Sequence, residues 1–82
     1  MFTAKVYVTL KPTVSDPQGH TVFGGLRSLG FTMVSDVRIG KYLQITVDES
    51  DRKQANAKVE EMCEKLLANP VIEEYRFELE EA

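Results

Sequence analysis

Only one cysteine, Cys63, and one histidine, His20, occur in the chain, and there is no tryptophan. A lone cysteine closes no internal disulfide. One cysteine and one histidine also fall short of the Cys and His ligands that a structural zinc site gathers. No Gly-x-x-x-x-Gly-Lys string is present, and no Gly-x-Gly-x-x-Gly follows a strand, so neither familiar phosphate-binding loop is available. No apolar run reaches the roughly 18 residues that a membrane-spanning helix needs. Positive charge is scarce as well. Ten Lys and Arg stand against 13 Asp and Glu, for a net charge of −3. Proteins that hold nucleic acid non-specifically do so by neutralising phosphates with Lys and Arg, and no surplus of them exists here. The opening residues Met1-Phe2-Thr3-Ala4-Lys5 carry no signal-peptide apolar region. A cytoplasmic protein is expected, with neither nucleic acid nor membrane as partner.

The few reactive side chains are poorly placed for catalysis. His20 falls in the first turn of an expected helix, ahead of its apolar stripe, and reads as an exposed surface residue. Asp16, four residues earlier, is taken up as a helix cap and is not free to orient an imidazole. Cys63 borders an apolar stripe. Its neighbours Glu60, Glu61 and Glu64 raise a thiol pKa and do not activate it, so it reads as a small core residue. The pairs Glu60-Glu61, Glu73-Glu74 and Glu80-Glu81 are sequence neighbours whose side chains point apart, which describes a solvated acidic face. No catalytic residue, no cofactor-binding residue and no metal ligand is expected in this chain.

What remains is a compact folding pattern. The chain has 82 residues, with 43% hydrophobic residues, and residues 1–82 are expected to form a single domain. A domain this small buries only roughly 60–65% of its unfolded surface, so association would relieve a thin stability margin. Phe2, Ala4, Val6, Val8 and Leu10 alternate with Thr3, Lys5, Tyr7 and Thr9, which predicts a half-buried strand. Asp16-Pro17 predicts a helix start, with Asp as N-cap and Pro at the first helical position. Val22, Phe23, Leu26 and Leu29 form its apolar side, and Gly30 supplies a left-handed stop. Gly24-Gly25 costs that helix about 0.8–1 kcal/mol per glycine relative to alanine. It reads as frustration tolerated by packing, with close approach of another backbone as the alternative.

Phe31 to Val47 predicts two strands with a bend at Gly40-Lys41, with Val37 and Ile39 on one face of the first and Leu43, Ile45 and Val47 on one face of the second. One long strand with a bulge at the glycine is the alternative. Ala55, Val59, Met62 and Leu66, widened by Cys63 and Leu67, predict a second helix capped by Ser50 or Asp51 and stopped at Asn69-Pro70. Alternation returns from Val71 through Tyr75, Phe77 and Leu79. The order β-α-β-β-α-β predicts an α+β, ferredoxin-like fold: a four-stranded antiparallel sheet with both helices on one face. The other face carries Lys5, Tyr7, Thr9, Tyr42, Gln44 and Thr46, and tyrosine is favoured at interfaces.

One segment, Asp36-Val37-Arg38-Ile39-Gly40-Lys41-Tyr42, gathers an acid, two bases and a tyrosine around a glycine. It reads either as a hairpin with solubilising charges or as a contact loop for a partner or anionic ligand. Asp36, Arg38, Gly40, Lys41 and Tyr42 are the candidate partner-contact residues.

These pieces resemble the PurS family. The likeness is carried by Lys5-Val6-Tyr7-Val8-Thr9-Leu10-Lys11, Asp16-Pro17-Gln18-Gly19, Leu29-Gly30-Phe31, the segment 36–42, and Met62-Cys63-Glu64-Lys65-Leu66-Leu67-Ala68-Asn69-Pro70-Val71-Ile72-Glu73. It runs from near residue 3 to near residue 80 and departs from the family pattern at Phe23 and Gly25. PurS is the small subunit of phosphoribosylformylglycinamidine synthase in purine biosynthesis. The resemblance implies a non-catalytic subunit, acting as a homodimer or homotetramer. It bridges a large synthetase subunit and a glutaminase subunit, which themselves use ATP, Mg and glutamine. The glutaminase makes ammonia, and the synthetase activates the formamide oxygen of formylglycinamide ribonucleotide. The competing reading is a freestanding regulatory module that binds a small molecule, an idea resting on fold analogy alone.

Overall fold

The computed structural model describes residues 1–82. Strand β1 spans Phe2–Leu10, and its alternation is realised residue by residue: Phe2, Ala4, Val6 and Val8 are buried while their neighbours are not. Helix α1 spans Pro17–Ser28, β2 Gly40–Val47, α2 Arg52–Met62 and β3 Glu73–Glu81, with a π-helical turn over Cys63–Leu67. The sheet has three strands in the order β2-β1-β3. Both neighbours run antiparallel to β1, with Val6 opposite Leu43 on one side and Phe77 on the other.

The fourth strand expected over residues 31–39 is not formed, and Gly40 opens β2 where a bend was predicted. Side chains hold this stretch in place of a ladder. Arg27 Nη1 donates to the carbonyls of Thr32 and Val34, each at 3.2 Å. Ile39 N–H donates to Asp16 at 2.7 Å. The N–H groups of Phe31, Thr32 and Val34 are met by turn carbonyls of Leu26, Gly30 and Phe31, so side chains and turns together satisfy this stretch without a neighbouring strand.

The core lies between the sheet and α2. Ala4, Val6 and Val8 pack with Val59, Cys63 and Ala68, rimmed by Leu43, Ile45, Val47, Tyr75, Phe77 and Leu79. Asp51 caps α2, accepting Lys53 N–H at 3.3 Å. Of the predicted stripe, Ala55 and Val59 of α2 and Cys63 at the start of the π turn are buried, Met62 and Leu67 are half-buried, and Leu66 is not part of it. Continuing from Cys63, the π turn keeps Leu67 half-buried and sends Leu66 outward, 83% exposed. Asn69 helps to end the helix through its side chain, which accepts Val71 N–H at 3.0 Å, and not through a left-handed backbone. Val71, expected in the last strand, lies in the turn before it.

Helix α1 departs from the predicted arrangement. Its N-cap Asp16, its Pro at the first position and its left-handed Gly30, at φ 98°, are all as predicted. Yet Gly19 is its only buried residue, and none of its side chains joins the core. Phe23 and Leu26 are half-buried, and Val22 is exposed. Only α2 covers the sheet. The molecule measures 49 × 27 × 14 Å, with a radius of gyration of 16.2 Å; a compact domain of this length has about 12 Å.

Candidate functional site

Two places concentrate polar geometry, and they divide the segment 36–42 between them. At the first, Asp16 ties the start of α1 to the approach of β2. One carboxylate oxygen accepts Gly19 N–H at 2.9 Å, and the other accepts Ile39 N–H at 2.7 Å. These two donors, Ile39 first, hold the carboxyl below the usual carboxylate range, with Arg38 adding to the effect. Arg38 reaches back across the same junction, and its Nη2 donates to the carbonyls of Lys11 at 3.0 Å and Val14 at 2.8 Å. Gly19 lets the chain pass here, because a Cβ on it would collide with the Val37 carbonyl oxygen. Asp36 is used locally, accepting the N–H of Val37 at 2.9 Å. An open cavity of about 300 Å³ lies beside the junction, lined by Ser15, Asp16, His20, Ser35, Asp36 and Arg38 among others. His20 is exposed, with its ring stacked on Phe23 at 6.4 Å.

The second place is the sheet face that α2 leaves open. Antiparallel register sets Tyr42, Tyr7 and Arg76 side by side across the three strands. The two tyrosine rings lie 5.0 Å apart, and the Arg76 guanidinium sits 4.0 Å over the Tyr7 ring. Gln44 Nε2 donates to the Tyr42 hydroxyl at 3.0 Å. In the next row Lys5, opposite Glu78, reaches diagonally to pair with Glu80 at 2.9 Å. Tyrosine and arginine, with tryptophan, are enriched among the side chains that contribute most at protein interfaces. The same segment therefore performs three tasks. Arg38 clamps, Gly40 lets β2 approach the Val8 carbonyl where a Cβ could not fit, and Tyr42 joins the open face. Lys41 turns the other way, toward the Leu67 carbonyl at 3.3 Å and Glu73 at 3.7 Å.

The second oxygen of Asp16 escaped the sequence reading, since an N-cap motif says nothing of a donor 23 residues away. The Tyr7–Tyr42–Arg76 row was half visible, because alternation put all three on the polar sides of their strands without giving their register. Cys63 is buried, and its thiol is pushed up by that burial and then by Glu60 and Glu64. No three His, Cys, Asp or Glu side chains are grouped so as to hold a metal ion. No helix is long and apolar enough to cross a membrane.

Comparison with known proteins finds similarity along nearly the whole chain. Residues 3–81 match the family model described as PurS, phosphoribosylformylglycinamidine (FGAM) synthase. The chain is 56% identical over 81 residues to the phosphoribosylformylglycinamidine synthase subunit PurS of Bacillus subtilis, covering 99% of this chain and 95% of that one. It superposes on a crystal form of B. subtilis PurS with a TM-score of 0.89, covering 99% of this chain and all of that one. The PurS of Methanocaldococcus jannaschii, described as one of the subunits of formylglycinamide ribonucleotide amidotransferase in the purine biosynthetic pathway, gives the same TM-score at 40% identity, covering 100% of this chain and 99% of that one. A chain in a structure of PurLQS from Thermotoga maritima gives 0.86 at 31% identity, covering 98% of this chain and 99% of that one.

Proposed function

This chain belongs to the PurS family, and from that membership we propose that it is the small, non-catalytic subunit of a phosphoribosylformylglycinamidine synthase complex in purine biosynthesis. The observation that carries the proposal is the match along nearly the whole chain, 56% identical to a relative that bears that name. In this reading a large synthetase subunit and a glutaminase subunit do the chemistry, using ATP, Mg and glutamine, in the cytoplasm. The small subunit sets how the two dock. A physical need for it is plain. Ammonia attacks only as the neutral molecule, and in bulk water near neutral pH it is protonated and diffuses away. A sheltered path between two sites prevents both losses.

We further propose that the working form is a homodimer or larger homo-oligomer of single-domain subunits. The chain exposes 5881 Å², against about 5,000 Å² for a compact monomer of its mass. Leu29, Phe31 and Met33 stand exposed beyond α1. Apolar surface left open in this way marks a contact site. Within the segment 36–42, Lys41 and Tyr42 are the residues assigned to partner contact, while Asp36, Arg38 and Gly40 shape the loop that presents them.

Co-purification from a native extract tests the assignment. A tagged chain is expected to bring down a synthetase and a glutaminase when substrates are present. Recovery of neither, from an extract with active enzyme, would overturn it.

A further inference from the structure

The two edges of the sheet differ in charge. β2 has no charged residue from Tyr42 to Val47, whereas the nine residues of β3 include five glutamates and one arginine. An open edge strand is a template for pairing with another chain, and charge is a common guard against unwanted pairing. Two β3 edges laid together would bring five glutamates and one arginine against the same set, a net repulsion that only a register setting Glu74 against the second copy's arginine would relieve in part. The net negative charge of the β3 edge thus disfavours a second copy and favours a strand of opposite charge.

Hydrogen bonds show which part of that edge is free. Ala82 N–H donates to the Met1 carbonyl, and Lys11 N–H to the Ile72 carbonyl. In an antiparallel ladder this turns the even-numbered residues of β3 toward β1 and the odd-numbered ones outward. At one end Glu73 N–H is spent on the Asn69 carbonyl at 2.7 Å. At the other the Leu79 carbonyl accepts Arg52 Nη1 at 3.3 Å. Between them the outward N–H and C=O groups of Tyr75 and Phe77 have no partner in the protein.

A groove of about 450 Å³ runs beside this stretch, between the π turn and β3. Cys63, Ala68 and Tyr75 supply its apolar lining, and Glu64, Glu73 and Glu74 its carboxylates. Neither Glu64 nor Glu74 has an ion-pair partner. Burial and then the negative field of Glu64 and Glu60 push the Tyr75 hydroxyl up.

We propose that the free edge of β3 at Tyr75 and Phe77 docks an extended segment of another protein in which lysine or arginine alternates with apolar residues. The main chain of that segment pairs with the outward groups of Tyr75 and Phe77. Its apolar side chains lie beside those two rings, and its cations lie on the opposite face beside the unpaired Glu74 and beside Glu78, which they share with Arg76 at 3.5 Å. This is strand addition, with charge choosing the partner. It stands independently of the complex proposed above.

The test uses the whole chain and a terminally blocked peptide of β3's length that alternates Lys with Val, beside its Glu-for-Lys counterpart. Amide hydrogen exchange is followed residue by residue. The Lys peptide is expected to slow exchange at Tyr75 and Phe77 by about tenfold or more, to leave β2 unchanged, and to lose its effect in high salt. The Glu peptide is expected to do nothing. Glu74→Lys with Glu78→Lys, both surface positions, is expected to abolish the protection while leaving the circular dichroism of the chain unchanged. Protection at β2, protection at neither edge, or equal protection by both peptides overturns the proposal. So does slow exchange at Tyr75 and Phe77 in the peptide-free chain that grows with protein concentration, since a second copy would then be the occupant.

Discussion

Asp16 joins two parts of the chain with one carboxylate, and its ionisation is therefore linked to folding. Its folded pKa is depressed by Ile39 N–H first, then by Gly19 N–H. An unfolded aspartate titrates near about 4. The stability that this group confers is fully present above that value, and it is lost as acid carries the folded carboxyl through its own lower pKa. Urea midpoints measured from neutral to acid pH should fall for the wild-type chain below about pH 4. Asp16→Asn should be less stable at neutral pH and should show a flatter acid limb. Parallel curves for the two proteins would contradict the assignment. The glycines give a contrast at the same level. A Cβ on Gly19 or Gly40 would strike a carbonyl oxygen, whereas Gly24 and Gly25 have nothing within 4 Å. Gly40→Ala should cost about 1–3 kcal/mol. Gly24→Ala and Gly25→Ala should each stabilise α1 by about 0.5–1 kcal/mol, with the mass of the particle unchanged. Thermal melts and light scattering check both. A loss of mass in either α1 variant would restore the alternative, that another backbone packs on those glycines.

The elements were legible in proportion to how local their causes are. β1, the capped start of α1, Gly30 and the Asn69-Pro70 stop follow from neighbours in sequence, and the structure has them where the pattern placed them. The strand expected over residues 31–39 failed because side-chain bonds from Arg27, five and seven residues back, and to Asp16, 23 residues back, hold that stretch. No periodicity records such bonds. Leu66 was misassigned because a π turn changes the phase of a helix, and a stripe read at constant pitch carries on past the change. α1 carries an apolar stripe that its own sheet does not receive, so pattern alone assigned it to the wrong layer. Two substitutions separate core from clamp. Val59 is fully buried against β1, and Val59→Ala should cost about 2 kcal/mol in chemical denaturation. Arg38→Ala removes both carbonyl contacts and should cost about 1 kcal/mol. It should also speed hydrogen exchange over residues 31–39 without affecting β3. Equal loss of protection throughout the chain would show that the clamp is part of the global fold.

The whole chain is a thin plate with a projecting arm, and few of its residues lie out of water: ten of 82 are buried. A chain of 82 residues with so little out of water has a thin stability margin, which another surface packed on it would relieve. At this level the family was readable, because several linked strings match together over nearly the full length. The docking geometry was not readable, because it depends on which apolar surface is left uncovered. The proposed role of this polypeptide is arrangement and no chemistry. It is tested most directly by glutamine-dependent formation of formylglycinamidine ribonucleotide in mixtures of purified chain, synthetase subunit and glutaminase subunit. The expected result is full activity only when all three are present, and none from the small chain alone. Turnover by the small chain by itself, or an undiminished rate from the other two without it, would contradict the account.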